Sequence, residues 1–145
     1  MIELNKISKF ELRDLVEFSY KGDRELLDKY WGDDFSLDEA VNETMRMIDI
    51  VSQEAKMSYY AIEDDGHEIG YMCCIPNNLY SFGINIEYRT KRVKEEFWRV
   101  AKEVMGNSFI CMLYPQNVRA IEFLKKMGMK VVDGVEQNCV TLLNI

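Results

Sequence analysis

Apolar positions along this chain repeat with two periods, and the order in which the periods alternate predicts the elements. From Tyr80 to Tyr88 (YSFGINIEY) apolar residues alternate with small or polar ones, the pattern of a half-buried strand. Val93 to Met105 repeats at helical spacing instead, with Val93, Phe97, Val100, Ala101, Val104 and Met105 on one side. Phe109 to Tyr114 is an apolar run of strand length, and Asn117 to Met127 is a second amphipathic helix, closed by Gly128. Between the first strand and the first helix, Arg89 to Lys94 (RTKRVK) places four cations in six residues. Tyr80 to Lys130 is therefore a β-α-β-α unit with a charged first turn.

The flanking segments complete the order. Ile2 to Leu4 predicts a short strand. Ser8-Lys9-Phe10-Glu11 is a capping box with Ile7 and Leu12 placed as its hydrophobic staple. The helix it starts presents Leu12, Leu15, Val16 and Phe18 and ends near Gly22. Ser36-Leu37-Asp38-Glu39 repeats the device after Phe35, for a helix to about Ala55 with Leu37, Val41, Met45, Ile48 and Val51 inward. Asp23 to Phe35, acidic and carrying Tyr30 and Trp31, reads either as a helical turn or loop on the domain edge or as a gating loop. Met57 to Glu63 and Glu68 to Ile75 are strands joined by the turn Asp64-Asp65-Gly66-His67, and Pro76-Asn77-Asn78 turns the chain into the strand at Tyr80. Met129 to Val132 and Asn138 to Leu143 form a last hairpin across Asp133-Gly134. The order is β-α-α-β-β-β-α-β-α-β-β. With no repeat, linker or low-complexity tract, it predicts one domain over residues 1–145.

Composition narrows the function. Hydrophobic residues make up 48% and charged ones 30%, as in a soluble globular protein. A net charge of −7 opposes general nucleic-acid affinity. That leaves only a local patch of Arg89, Lys91, Arg92, Lys94 and Arg99 to support such binding. No apolar run approaches membrane-helix length, and no targeting segment opens the chain. Cys73, Cys74, Cys111 and Cys139 sit in apolar, strand-like runs whose spacing fits no zinc pattern. They read as reduced packing residues of a cytoplasmic protein, with no metal site. His67, the one histidine, sits at a hairpin tip, where a solvated group is poorly placed for catalysis.

Asn117-Val118-Arg119-Ala120-Ile121-Glu122-Phe123-Leu124-Lys125-Lys126-Met127-Gly128-Met129 resembles the N-x-x-A-x-x-F-Y-x-x-x-G-F stretch of the GNAT N-acyltransferase superfamily. Ile84 to Arg89 resembles that family's fourth strand, leading into its R/Q-x-x-G-x-G/A acyl-CoA loop. The resemblance implies an α+β fold, with a mixed, mainly antiparallel sheet of about six to seven strands and about four flanking helices. It also implies transfer of an acetyl group from acetyl-CoA to a primary amine. The cofactor residues it points to are Ile84, Ile86, Arg89, Thr90, Lys91, Arg92, Val93, Lys94 and Asn117. In the family, amides at a helix N-terminus bind the pyrophosphate, and glycines let the backbone come close. Here Arg92 and Lys94 stand at the two glycine positions, either turned outward or filling the site.

The family's proton-donating tyrosine falls on Leu124, which cannot transfer a proton. Tyr114 or Tyr88 is the substitute acid this chain offers, although the first reading of each is a packing aromatic with a hydrogen-bonded hydroxyl. Glu87 and Glu63 are the candidate bases for the incoming amine, although alternation turns Glu87 away from the Ile84 and Ile86 face. Asn117 has two readings, an N-cap for its own helix and a contact to the pantetheine arm. The alternative to an enzyme is a catalytically degenerate GNAT-like binding or structural protein. Phe123-Leu124-Lys125-Lys126 is similar to runs in acetyltransferase-like accessory and internal virion proteins of bacteriophages, which would place the chain in the cytoplasm of a host cell. The partners implied are an acyl-CoA and an amine, with a homodimer or a protein partner in the binding-module reading.

Overall fold

Seven strands form one mixed sheet in the computed structural model, which describes residues 1–31, 36–106, 108–115, 117–132 and 140–144, with the backbone alone at 29–31, 140 and 144. Strand β1 (Ile2–Lys6) precedes helix α1 (Lys9–Tyr20), a π-helical turn at Leu26–Trp31, and helix α2 (Leu37–Ser52). Strands β2 (Ser58–Asp64), β3 (His67–Ile75) and β4 (Asn78–Ile84) form the meander predicted from alternation. A 3-10 turn at Ile86–Tyr88 leads to helix α3 (Lys91–Met105), strand β5 (Phe109–Leu113), helix α4 (Val118–Lys126) and strands β6 (Lys130–Val132) and β7 (Val140–Asn144). The sheet order is β1-β2-β3-β4-β5-β7-β6.

Local sequence explains most of the helix ends. Ser8 and Ser36 each accept the amide of the glutamate three residues on, and that glutamate bonds back to the serine amide, so both capping boxes form. Helix α4 stops because Gly128 has φ +99°, while the amides of Met129 and Gly128 close back onto the carbonyls of Leu124 and Lys125. Leu124 and Met129 are both buried beneath that closure.

Helices cover both faces of the sheet, so β3 is buried from Ile69 to Cys74. In β3, Met72 and Cys74 pack with Val93, Phe97, Ala101 and Leu124 of α3 and α4. Tyr71 and Cys73 face the opposite way, onto Leu12, Val16, Val41 and Ile48 of α1 and α2. Each fully buried large side chain of this kind contributes about 1.5–3 kcal/mol of transfer free energy. Burial pushes the Cys111 thiol up to about 12 and raises those of Cys73 and Cys74 as well, so these three are inert packing groups. Cys139 and the Asp133-Gly134 turn lie outside the described residues.

Three expectations need correction. The strand predicted over Tyr80 to Tyr88 spans Asn78–Ile84, because the Asn85 side chain accepts the Glu87 amide (3.0 Å) and starts the 3-10 turn. Ile86 and Tyr88 continue the alternation in sequence only, and both are more than a third exposed. The second helix ends at Ser52 rather than near Ala55. Val104, placed inward by spacing, is 42% exposed at the end of α3.

Among the described residues only one neighbouring pair, β4 and β5, runs parallel, and it holds a single register pair, Asn78 with Ile110. The Ile110 amide donates to the Asn77 carbonyl (2.9 Å) at that point. Beyond it the two strands part.

Candidate functional site

The parting of β4 and β5 opens a cavity of about 410 Å³. It lies toward the carboxyl ends of the parallel pair, where sheets of this kind leave a crevice between diverging chains. Residues of α1, α2, β4, β5 and α4 wall it, together with Asp23, Arg89 and Lys94.

Strand alternation decides which backbone groups face the cleft. The Asn85 amide is spent on the Ile69 carbonyl across β3 (2.9 Å), so the N–H and C=O of Ile84 point the other way. The same alternation turns Phe82 toward the cleft. Arg89 Nε donates to the Ile84 carbonyl (2.7 Å), which leaves the Ile84 amide as the donor offered there. Ile86, expected beside Ile84 on the strand, sits in the 3-10 turn and does not line the cavity.

A buried ion cluster closes one side. Asp23 is 0% exposed and accepts the Leu26 amide (3.1 Å) at the start of the π-helical turn. Arg119 Nη1 donates to Asp23 Oδ1 at 2.9 Å. Arg89 Nη1 lies 2.7 Å from Oδ2 as an ion contact, its N–H bonds aimed off the hydrogen-bond line. Burial raises the Asp23 pKa, but the Leu26 amide and the charges of Arg89 and Arg119 outweigh it and hold the carboxyl below its usual value. A depressed carboxyl stabilises the fold above its unfolded pKa, and that contribution is lost as pH falls through the folded value. The expected result is a urea midpoint that drops steeply below about pH 4. Asp23→Asn should make that drop shallower without abolishing it, since Arg92 also depresses Asp64 and Glu96.

Away from the cluster the wall is neutral. Tyr20 bonds Thr44 (2.8 Å) and Tyr71 bonds Ser81 (2.8 Å), hydroxyl to hydroxyl. Burial raises the pKa of both tyrosines, so these groups stay protonated. Met47, Ile48, Tyr80, Met112 and Tyr114 add apolar and aromatic surface.

The basic turn divides into residues with opposite roles. Thr90 caps α3, accepting the Val93 amide with its hydroxyl (3.2 Å) and the Lys94 amide with its carbonyl (3.0 Å). The amides of Lys91 and Arg92 then remain among the helix's first-turn donors without an intrahelical partner. Arg92 turns away from the cleft to Asp64 (2.6 Å) and Glu96 (2.9 Å). Lys94 turns into the cavity wall and has no ion pair among the described residues. Arg99 pairs with Glu103 (2.9 Å), and Lys91 approaches Glu95 (3.9 Å). Carboxylates thus accompany four of the five cations proposed for a nucleic-acid patch, which weakens that patch as a phosphate track.

The other sequence candidates are scattered. Tyr114 lines the cavity and is 41% exposed. Asn117 lines it as well, with its Oδ1 engaged by the Ala120 amide (3.4 Å) as the cap of α4, so its Nδ2 is left to meet a ligand. Glu87 is exposed on the 3-10 turn, and Glu63 sits in β2 opposite Glu3 and Glu68. Neither lines the cavity, because β4 ends before Glu87 and two strands separate β2 from the cleft. Tyr88 is exposed on the same turn and does not line it either. Leu124 is fully buried in the core, and Phe123 beside it faces the cleft. His67 is exposed at the start of β3. Sequence reasoning missed Asp23 and Arg119, whose one signal was an acidic residue just after a helix-ending Gly22.

Among the described residues no helix is long and apolar enough to cross a membrane, and no group of three His, Cys, Asp or Glu is arranged to hold a metal ion. No protein-family model matches the chain, and no characterised protein sequence does. Solved structures do. A PaiA N-acetyltransferase from Thermoplasma acidophilum, crystallised with coenzyme A, aligns over 99% of this chain and 98% of its own, at 20% identity and a TM-score of 0.70. The aminoglycoside acetyltransferase AAC(6')-Ib with coenzyme A aligns over 99% and 94%, at 14% identity and a TM-score of 0.69. A spermidine N-acetyltransferase from Vibrio cholerae, with CoA and spermine, aligns over 98% and 94%, at 14% identity and a TM-score of 0.60. The chain has the fold of the GNAT N-acetyltransferases.

Proposed function

We propose that this chain is an N-acyltransferase that takes acetyl-CoA into the cleft between β4 and β5 and passes the acetyl group to a primary amine. The observation that carries the reading is the parted parallel pair itself, with cleft-facing amides on β4 and the open N-terminus of α3 at its mouth. Acetyl-CoA would supply the thioester that the amine attacks.

The residues divide the work as follows. The Lys91 and Arg92 amides and the Lys94 ammonium meet the pyrophosphate, aided by the helix dipole. Arg92 contributes its backbone and keeps its side chain on Asp64, so the two long side chains at the family's glycine positions do not both enter the site. The Phe82 and Ile84 amides face the pantetheine arm and the thioester carbonyl, where a donor stabilises developing negative charge. Asn117 Nδ2 offers a further contact to that arm. Tyr114 is the hydroxyl placed to return a proton to the departing thiolate. The amine enters as the free base, since Asp23, the one carboxylate on the described cavity wall, is committed to two guanidinium groups.

Calorimetric titration with acetyl-CoA tests this at low salt. Lys94→Gln is expected to weaken binding about tenfold, equivalent to about 1.4 kcal/mol, while Arg92→Gln stays within about twofold of the parent. Affinity should also fall with salt. Absence of heat and of any thermal shift at millimolar acetyl-CoA overturns the proposal. Binding without acetyl transfer to any amine leaves the second reading, a GNAT-fold binding protein.

A further inference from the structure

We infer that the acceptor is a monoamine with an uncharged apolar or aromatic body, and that polyamines and other polycations are poor substrates for this chain. The inference rests on the acyl-transfer reading above and follows from what the cavity wall lacks.

Among the described wall residues there is one carboxylate, Asp23, against three cations, Arg89, Lys94 and Arg119. Asp23 is already spent, since it sits between the two guanidiniums at 2.7 Å and 2.9 Å. A polyamine delivers one neutral amine to the thioester and brings its other ammonium groups with it. Each of these gives up water on entering and needs a carboxylate in exchange, or it stays an unpaired charge in a poorly hydrated site. The described wall has none to give, and beside the spent Asp23 stand two guanidiniums, Arg89 and Arg119, of the repelling sign.

The wall is instead built for a neutral body. Met47 and Ile48 of α2, Tyr80 of β4, Met112 of β5 and Tyr114 after it are apolar or aromatic. Its buried hydroxyls are paired with one another at 2.8 Å, which adds polarity without charge. Encounter is not what excludes a polycation, because a net charge of −7 draws cations to the surface. Carboxylates do stand outside the wall. Glu25 lies 3.6 Å from Arg119, and Glu43 pairs with Arg46 on the outer side of α2. Selection happens inside, where the described wall beside the acceptor is apolar and aromatic and its one carboxylate is already paired.

The experiment measures thiol release from acetyl-CoA by the intact chain, with tyramine and spermidine as probes at the same salt concentration. Tyramine is expected to give a kcat/KM at least about thirtyfold above spermidine. Met47→Asp, which adds a carboxylate to the wall, should raise the spermidine value and lower the tyramine value, with acetyl-CoA affinity within about twofold of the parent. Met112→Glu serves as the second variant if the first does not fold. Faster turnover of spermidine by the parent overturns the inference, and so does a pair of folded variants that leave the ratio unmoved. A chain that binds acetyl-CoA but turns over neither amine also overturns it and leaves cofactor binding standing. Failure to bind acetyl-CoA overturns the earlier reading instead.

Discussion

Arg89→Met is expected to lower unfolding free energy by about 3 kcal/mol, because it strips a buried carboxylate of one of its two partners. Asp23 is 0% exposed, and the Arg89 side chain is itself only 23% exposed, so water cannot step in fully for the lost charge. The same change orphans the Ile84 carbonyl, which accepts from Arg89 Nε at 2.7 Å. Arg89→Lys should restore little, since one ammonium on a flexible stem cannot reach the carbonyl and the carboxylate together. Arg119→Met, at a side chain 40% exposed, should cost about 1 kcal/mol. Urea unfolding measures all three. A double variant, Asp23→Asn with Arg89→Met, should recover part of the loss, because the uncompensated charge is then gone. If Arg89→Met falls within about 1 kcal/mol of the parent, the Arg89–Asp23 contact does not hold the fold together.

Gly70→Ala should be as damaging from a single methyl. A Cβ at Gly70 would fall 2.0 Å from the Gly83 carbonyl oxygen and 3.0 Å from the Ile84 Cα, both backbone atoms of the neighbouring strand. No rotamer relieves such a contact, so β3 and β4 must separate, at a cost of about 3 kcal/mol. The separation also moves the strand whose amides face the cleft. Acetyl-CoA affinity should therefore fall along with the urea midpoint. Gly83→Ala is the control. Its Cβ would meet the Tyr71 ring at 3.0 Å and Ser19 at 3.3 Å, which are side chains with some freedom to shift. It should cost about 1–2 kcal/mol. Equal losses from the two variants would show that backbone proximity is not what matters.

The order of elements was readable from the chain because its signals are local. Ser8 with Glu11, Ser36 with Glu39, and Gly128 after an amphipathic run each act within one helical turn, and each forms as expected. The end of β4 was misread for the same reason. Ile86 and Tyr88 keep the period, but a buried asparagine held by the Phe18 carbonyl (2.7 Å) from a distant helix decides where the strand stops. The site was less legible than the fold. Asp23 and Arg119 lie 96 positions apart, and no spacing rule joins them. The direction of Arg92 depends on Asp64, which belongs to a strand 28 residues earlier. Lys94 enters the cavity wall because it falls on the other side of the same helix, a distinction that the charge run RTKRVK does not carry.

The single register pair between β4 and β5 makes the sheet two plates joined at one point. One plate is β1 to β4 and the other is β5, β7 and β6. At the join stands the Ile110 amide on the Asn77 carbonyl, and toward the free edge Arg119 of α4 reaches Asp23 across the gap. Loosening that outer tie costs the fold little by itself, since Arg119 is partly hydrated and Arg89 stays on the carboxylate. A long, thin guest lying between the plates would therefore meet backbone at the Ile110 end and a partly hydrated ion pair, Arg119 on Asp23, at the other.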